Sequence, residues 1–486
     1  GHGGSCWQGS GASGSKFEFF IMNIASSLFE KCNPQAVAVV EKGGAHSYGE
    51  LQSWSSQVAQ DLRENHGVKP ADRIGLLCAD GFYYIAFSLG IIKSDACFVP
   101  IAPELSELER KSLVETMHLH GIITGDATSG MYRYERITIP NEPPWHQEFA
   151  SMHPALIRFS SGTTGESKGV LLCNSTLLER IMAANEGLQI TPADRIVWVL
   201  SMSHHFAVSI LLYLWNGATI VIPPTHFASD ILESATENRS TVLYASPFHF
   251  FLLTSELEKI SWPDLRLAVS TTSALQPDIG AKFAEATGIH PSQALGIIEA
   301  GLPFLNRIEP SKRPLSIGLP QPAFEAKIMG ATNEPVEPGC PGNLFIKGPG
   351  FFDAYIAPWK KRHDVLYQGE WFDTGDIAVK DEEGFYQLQG RSKSVINIGG
   401  MKFFPEEVEA ILCEHPAVQE ARVSTRQHPQ FGSISFAEIV LTSQEKLAAS
   451  ELLGFCRKRL ARHKTPAEII FVEQIPKTPS GKILRR

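Results

Sequence analysis

Short apolar runs alternate along this chain with longer stretches in which apolar residues return every third or fourth position, the spacings of buried strands and one-sided helices. From Phe17 to Phe29 the spacing is helical, and Val37 to Val40 is a strand-like run. Tyr48-Gly-Glu-Leu51 opens a helix expected to continue to Glu64, followed by a strand at Arg73 to Cys78, a helix from Phe82 to Lys93 and a strand at Ala96 to Pro100. The alternation resumes through Arg195 to Leu200, Ala218 to Ile222, Thr241 to Tyr244 and Leu265 to Val269. Helices interleaved with short strands predict an α/β architecture with a mainly parallel sheet. The texture changes around Gly390-Arg391: Glu406 to Cys413 is an amphipathic helix, Val418 to Val423 and Phe436 to Leu441 are strands, and Leu447 to Leu460 is a helix. This predicts a small α+β unit after a boundary between Gln389 and Ser394.

Composition sharpens that picture. A chain of 486 residues exceeds what one core serves, so two or more domains are expected. Hydrophobic residues at 43% and charged residues at 20% are ordinary for a globular protein with a sizeable core. A formal charge of −9 argues against general nucleic-acid or anionic-membrane binding, so positive charge must be concentrated wherever an anionic substrate sits. The most apolar neighbourhood, Ala207 to Trp215 and then Ala218 to Ile222, is split by Asn216 and Gly217 and is too short for a bilayer; a buried helix followed by a strand is expected, and no membrane span. Eight cysteines form no C-x-x-C pair, and no His cluster has zinc spacing, so free thiols in a reducing cytoplasm are expected. Residues 1–16, rich in Gly and Ser without an apolar centre, are expected to be a flexible leader rather than a signal peptide.

The chemistry concentrates first in Phe159-Ser-Ser-Gly-Thr-Thr-Gly-Glu-Ser-Lys-Gly-Val170, between two apolar runs that predict flanking strands. Ser160, Ser161, Gly162, Thr163, Thr164, Gly165 and Lys168 supply open backbone amides, short hydroxyls and one mobile cation, an inventory suited to phosphate. No Gly-Lys-Ser/Thr triplet closes it, so it is not a Walker A loop. The segment closely resembles the signature of the adenylate-forming (ANL) superfamily: acyl- and aryl-CoA synthetases, adenylation domains of nonribosomal peptide synthetases, and luciferase.

Further motifs resemble the same superfamily, in its order. Leu295-Gly-Ile-Ile-Glu299 is similar to a segment whose Glu holds Mg²⁺ against ATP; Leu295 stands where an aromatic ring is usual and Ile298 where Thr is usual, while Gly296 borders nucleotide and acyl group. Asp376, in Trp371-Phe-Asp-Thr-Gly-Asp376, and Arg391 resemble the ribose site, where two carboxylate oxygens suit a diol. Lys393 resembles the hinge position. The closing Pro476-Lys-Thr-Pro-Ser-Gly-Lys482 resembles the final motif, whose lysine reaches into the active site and offsets the charge of carboxylate meeting phosphate. Gly399-Gly400, before Pro405-Glu-Glu-Val-Glu409, is either a plain turn before a helix or, by resemblance, the loop lining a tunnel for a pantetheine thiol.

His204, His205, Phe206 and Ala207 align with the acyl-pocket segment of the superfamily, as do Ser270, Thr271, Thr272 and Ser273. Ala207 cannot pair an ammonium, which argues against an α-amino acid substrate. The threonines either cap a strand or fill space that glycine usually leaves, which would suit an aryl, short-chain or hydroxylated acid.

The resemblance implies a large N-terminal domain of layered sheets and helices (17–390), a hinge (391–393) and a small mobile C-terminal α+β lid (394–486). It implies ATP-dependent adenylation of a carboxylic acid, with Lys482, Glu299 and Thr163 catalytic and Glu299 binding Mg²⁺, then transfer to the thiol of CoA. A free-standing carrier protein bearing phosphopantetheine is the alternative acceptor, luciferase-like oxygenation shares the same motifs, and a non-catalytic nucleotide-binding protein is the alternative of another class.

Overall fold

Three helix starts in the N-terminal part are set by side chains that satisfy the first free amides. The Asn23 side chain accepts from the amides of Ala25 and Ser26, so the first helix runs Ile24–Lys31, later than the apolar spacing from Phe17 suggested. Ser47 and Glu50 make a reciprocal capping box that opens Tyr48–Glu64 where expected. Ser106 and Glu109 do the same for Glu107–Thr116.

The computed structural model describes residues 22–161, 167–256, 261–272, 274–330, 332–391, 396–403, 405–428, 432–442 and 447–475. The expectations for the leader 1–16, for Gly162, Thr163, Thr164 and Gly165, and for Ser273, Lys393 and Lys482 lie outside these residues.

Two eight-stranded sheets dominate the N-terminal part. In one, Ser292–Ile297, Leu267–Ser270, Val242–Ala245, Arg195–Trp198, Thr219–Val221 and Val37–Glu41 run parallel in that spatial order, with antiparallel edges Gly301–Leu305 and Gly44–Ser47. In the other, Pro154–Ser161, Cys97–Ile101, Arg73–Leu77 and Gly121–Gly125 are parallel. Ser167–Cys173 and Ala354–Ile356 extend it antiparallel on one side, and Tyr132–Arg136 on the other. One continuous core joins both sheets, filled by helices such as Phe82–Lys93, which is buried on nearly every face. It lies so close to Tyr48–Glu64 that a Cβ at Gly90 would stand 2.7 Å from Val58.

The expected helix near Ala207 is three pieces: Met202–His205, a π-helical turn Phe206–Ile210, and Leu211–Trp215. The wide turn buries Phe206, Ser209 and Ile210 while leaving Ala207 and Val208 partly exposed, an effect a regular period does not anticipate. A four-stranded antiparallel sheet was also not anticipated; it comprises Glu325–Met329, Gly342–Lys347, Phe372–Lys380 and Tyr386–Arg391.

After it come the hairpin Ile396–Ile398 and Met401–Phe403, the helix Pro405–Cys413, and a three-stranded sheet of Val418–His428, Gly432–Leu441 and Glu468–Phe471, backed by the helix Ala449–Arg457. These elements share a core of their own, from Ile396 to Ile469. The unit is docked: Lys464, 8% exposed, places Nζ 2.9 Å from Glu109 of the large domain and 2.9 Å from Glu407 of its own helix. Burial works against that ammonium, but Glu407 and Glu109 outweigh it and hold the pKa above the ordinary lysine value. Ser106 donates to the Arg459 carbonyl at 2.8 Å beside it.

The helix Pro247–Thr254 carries a buried His249, whose Nδ1 lies 2.8 Å from Ser246 Oγ and whose Nε2 lies 3.2 Å from Nδ1 of His226. Burial, with His226 beside it, pushes the His249 pKa down to about 3. The unfolded chain binds that proton near pH 6.5, so stability is full above pH 6.5 and falls as pH drops toward 3. In urea melts, His249→Gln should flatten this acid loss by roughly 2–4 kcal/mol between pH 7 and pH 4.

Candidate active site

The strands Pro154–Ser161 and Ser167–Cys173 form a hairpin in which Ser160 stands opposite Lys168 and Ser161 opposite Ser167, so the Gly/Thr-rich loop issues from the strand ends as expected. The strand Ala354–Ile356 lies against Ser167–Cys173, with Tyr355 opposite Val170. Lys168 Nζ is 3.7 Å from Glu299 Oε1 and 3.7 Å from the centre of the Tyr355 ring. The Tyr355 hydroxyl donates to Glu299 Oε1 at 2.9 Å. Burial, reinforced by the Glu299 charge, pushes the phenol pKa well above its usual value, so it remains a donor. Residues far apart in sequence thus put a cation, a carboxylate and a phenol beside the strand ends that flank the loop.

Glu299 sits in the tight turn between Ser292–Ile297 and Gly301–Leu305, and its backbone is held from below. Arg180, 2% exposed on the helix Asn174–Leu188, donates to the carbonyls of Ile298 (2.6 Å), Glu299 (2.9 Å) and Gly350 (2.7 Å). Burial lowers its pKa to about 10, which still leaves it charged. Gly301 at φ +91° and Gly350 at φ +71° are needed there, because a Cβ at either would stand 2.8 Å from Arg180. Leu295 is 7% exposed and belongs to the core, and Ile298 packs on the same core. Gly296 faces open space, its hypothetical Cβ meeting only the Gly301 carbonyl at 3.9 Å.

Asp376, 4% exposed, stands opposite Arg391 across adjacent antiparallel strands, which brings the two expected ribose residues into register. Among the described residues no cluster of three or more His, Cys, Asp or Glu could hold a metal. Glu299 therefore fits Mg²⁺ only in the way that ion is commonly bound, through one carboxylate together with phosphate oxygens.

The expected acyl side includes Met202–His205, a short helix whose first amide donates to Asp80 at 3.0 Å. His204 keeps 22% of its side chain accessible. Its Nδ1 lies 2.7 Å from the Arg158 guanidinium, which can only donate, so Nδ1 accepts and Nε2–H faces Glu104 at 3.5 Å. Burial and the Arg158 charge lower the pKa of His204, and lower that of His205 much further, so both rings are neutral. Phe206, expected in the pocket wall, turns onto Tyr84 and Phe98 in the core. Ala207 is part-exposed. Ser270 is fully buried, with its backbone paired to Ala245 and Gln293. Thr271 is buried.

Thr272 adopts φ +82°, a strained conformation for a β-branched residue, and the C-terminal unit meets it there. Asn397 donates to the Thr272 carbonyl, and Gly400, at φ +87°, packs so closely that a Cβ would lie 2.6 Å from Thr272 Cγ2. The glycine turn therefore borders the acyl side in this structure.

The family model for AMP-binding enzymes matches residues 29–356, and that for the AMP-binding enzyme C-terminal domain matches 407–482. The chain belongs to the AMP-binding enzyme family, within the adenylate-forming superfamily. It is 26% identical over 473 residues to a feruloyl-CoA synthase of an Amycolatopsis species, covering 94% of this chain and 96% of that one. It is 30% identical over 337 residues to a sulfoacetate–CoA ligase of Cupriavidus necator, covering 68% and 66% respectively. Its fold is that of an amide bond synthetase from Marinactinospora thermotolerans (TM-score 0.84, 22% identity, 95% and 98% covered). The o-succinylbenzoate CoA synthetase of Bacillus subtilis also shares it (TM-score 0.83, 24% identity, 95% and 97% covered).

Sequence reasoning missed Tyr355, Arg180, Arg158 and Glu104. Arg180 left a signal, since it sits on the apolar stripe of its helix between Leu177 and Ala184. Arg158 left another, a charge inside the run that begins at Ala155. Tyr355 left none, because only sheet pairing brings it to Glu299. Removing its hydroxyl loses a bond to a charged acceptor, so Tyr355→Phe should raise the Mg²⁺ needed for half-maximal ATP-dependent pyrophosphate release about tenfold. Urea melts should show at most about 1.5 kcal/mol of lost stability.

Proposed function

We propose that this AMP-forming acid–thiol ligase activates an aryl, short-chain or hydroxylated carboxylic acid lacking an α-amino group and transfers it to the thiol of CoA. In the first half-reaction a carboxylate oxygen attacks the α-phosphorus of ATP, forming the acyl-adenylate and releasing pyrophosphate. In the second, the thiol sulfur attacks the acyl carbon, forming the thioester and releasing AMP. The observation that carries this reading is the convergence of Lys168, Glu299 and Tyr355 beside the strand ends that flank the phosphate-suited segment.

The residues divide the work by charge and reach. Lys168 and the loop amides bind phosphate oxygens, Asp376 and Arg391 hold the ribose diol, and Lys482 bridges the attacking carboxylate and the α-phosphate. Glu299 would hold Mg²⁺, which withdraws charge from the phosphates when bound. Thr163 adds a hydroxyl to the same anion. The Gly399-Gly400 turn, packed against Thr272, is the segment that a pantetheine arm passes in the second half-reaction, and Lys393 is the pivot that exchanges this turn for Lys482.

Ala207 and the two neutral histidines offer no carboxylate for a substrate ammonium. Behind the acyl side the rings of Trp198, Tyr213 and Tyr244 lie within 5.9 Å of one another pairwise through Trp198. Among the described residues Trp198 Nε1 there has no hydrogen-bond partner. Aromatic walls with a spare hydrogen-bonding group suit an aryl or hydroxylated acid better than a long alkyl chain.

Pyrophosphate release with ATP and Mg²⁺, across aryl, short-chain, hydroxylated and long-chain acids with and without CoA, tests the reading. Faster turnover with CoA on an aryl or hydroxylated acid is expected; adenylation indifferent to CoA would instead favour a carrier-protein thiol. Lys482→Ala should lower adenylation roughly a hundredfold or more while ATP still binds. Normal pyrophosphate release from that variant would refute its role. Gly400→Leu, which forces a side chain into Thr272, should slow thioester formation about tenfold more than adenylation, measured in separate half-reactions. Equal losses in both would sink the tunnel assignment.

A further inference from the structure

Arg158 carries a charge that the described protein does not neutralise at close range. It stands on the strand Pro154–Ser161, two residues before Ser160 and therefore on the same face of the sheet. Its guanidinium donates to the Ser203 carbonyl at 3.1 Å and to His204 Nδ1 at 2.7 Å. Both acceptors are uncharged. Among the described residues no carboxylate is paired with it within ion-pair distance, and Glu104 acts on it only from beyond the His204 ring. A guanidinium has five N–H donors, so the two bonds leave three for another partner.

Place narrows the identity of that partner. Arg158 and His204 are each part-buried rather than sealed in the core. The phosphate-suited loop begins beyond Ser161, and the glycine turn borders the acyl side at Thr272. Arg158 thus sits between the phosphate end and the acyl end, where the reacting carboxylate must lie. An enclosed guanidinium without a counter-charge is costly, and a carboxylate accepting two parallel N–H bonds is the group whose shape matches it. The neutral tautomer of His204 preserves this arrangement: with Nδ1 accepting from Arg158 and Nε2–H directed to Glu104, the ring fixes the guanidinium without adding a second positive charge.

We propose that Arg158, oriented by the His204–Glu104 pair, binds the carboxylate of the acid substrate and presents it for attack on the α-phosphorus. This rests on the adenylation reading and adds to it a substrate-binding residue distinct from Lys168, Glu299 and Lys482. The arginine neutralises the carboxylate during its approach to the phosphates, and its planar fork orients the attacking oxygen. Glu104 is a positioning residue, acting through His204.

The test is steady-state pyrophosphate release using the best acid from the panel above. Arg158→Met should raise KM for the acid about thirtyfold or more, leaving KM for ATP within about threefold, and Arg158→Lys should recover part of the loss. Glu104→Gln should shift KM for the acid in the same direction by a smaller factor. With the wild-type enzyme alone, the carboxamide of the same acid should inhibit at least about thirtyfold more weakly than a non-reactive carboxylate analogue of equal size. That comparison stands even if Arg158→Met does not fold. Equal inhibition by amide and carboxylate, or an unchanged KM for the acid in folded Arg158→Met, would overturn the proposal while leaving adenylation intact. A KM increase confined to ATP would assign Arg158 to the phosphates instead, and so also overturn it. Pyrophosphate release with no acid at all in the panel would overturn the adenylation reading, and this inference with it.

Discussion

The site depends on one buried cation. Arg180 leaves water to satisfy three carbonyl oxygens in two segments, the turn at Ile298 and Glu299 and the bend at Gly350, which Phe352 also ties together by donating its amide to the Glu299 carbonyl at 2.8 Å. The first turn closes an edge of one large sheet, while the second leads to a strand of the other. Removing the cation would leave buried carbonyls without donors, each costing on the order of 1–3 kcal/mol. Because the guanidinium is rigid and its donors fixed in direction, Glu299 and Tyr355 are held at bonding distance instead of being left to loop motion. Glycine at 301 and 350 is the steric condition for this approach, so the chemistry at Glu299 is tied to two positions that never touch a ligand.

A second constraint governs the small domain. Its docking relies on Lys464, almost wholly buried between a carboxylate from each domain, and on the backbone contact between Ser106 and Arg459. Glu109 serves twice, since it also closes the capping box of its helix. Such an arrangement is specific without being strongly adhesive, because the desolvation of the ammonium offsets much of the attraction. Where the docked unit meets the acyl side, the closeness of Gly400 to Thr272 leaves no room for a Cβ, and the strained backbone of Thr272 is stabilised by the Asn397 bond to its carbonyl.

Charge in the site is arranged with similar economy. Both histidines are neutral, Glu104 is held below the usual carboxylate range by the His204 hydrogen bond, and Arg158 supplies the positive charge. The phosphate side contributes Lys168, steadied by Glu299 and the Tyr355 ring. A chain with an overall negative charge thereby offers an anion two fixed cations along one strand hairpin, and long-range attraction elsewhere is not required.

The sequence by itself determined the alternation of helix and strand, the helix Tyr48–Glu64, and the strands on either side of the Gly/Thr-rich segment. These are local: period, caps and turns act over a few residues, and the motifs carry their own spacing. Tertiary structure decided what converges. The π-helical turn at Phe206 redistributed the residues expected in the pocket, sending Phe206 to the core and leaving Ala207 part-exposed. Tyr355 reached Glu299 only because the strand Ala354–Ile356 joined the loop hairpin, and Arg158 gained its meaning only when His204 and Glu104 were brought beside it. Burial then fixed the charge states, since the same histidines in an exposed segment would titrate near neutral pH. Proximity across sheets and exclusion of water are properties of the packed molecule, and no pattern along the chain encodes them one residue at a time.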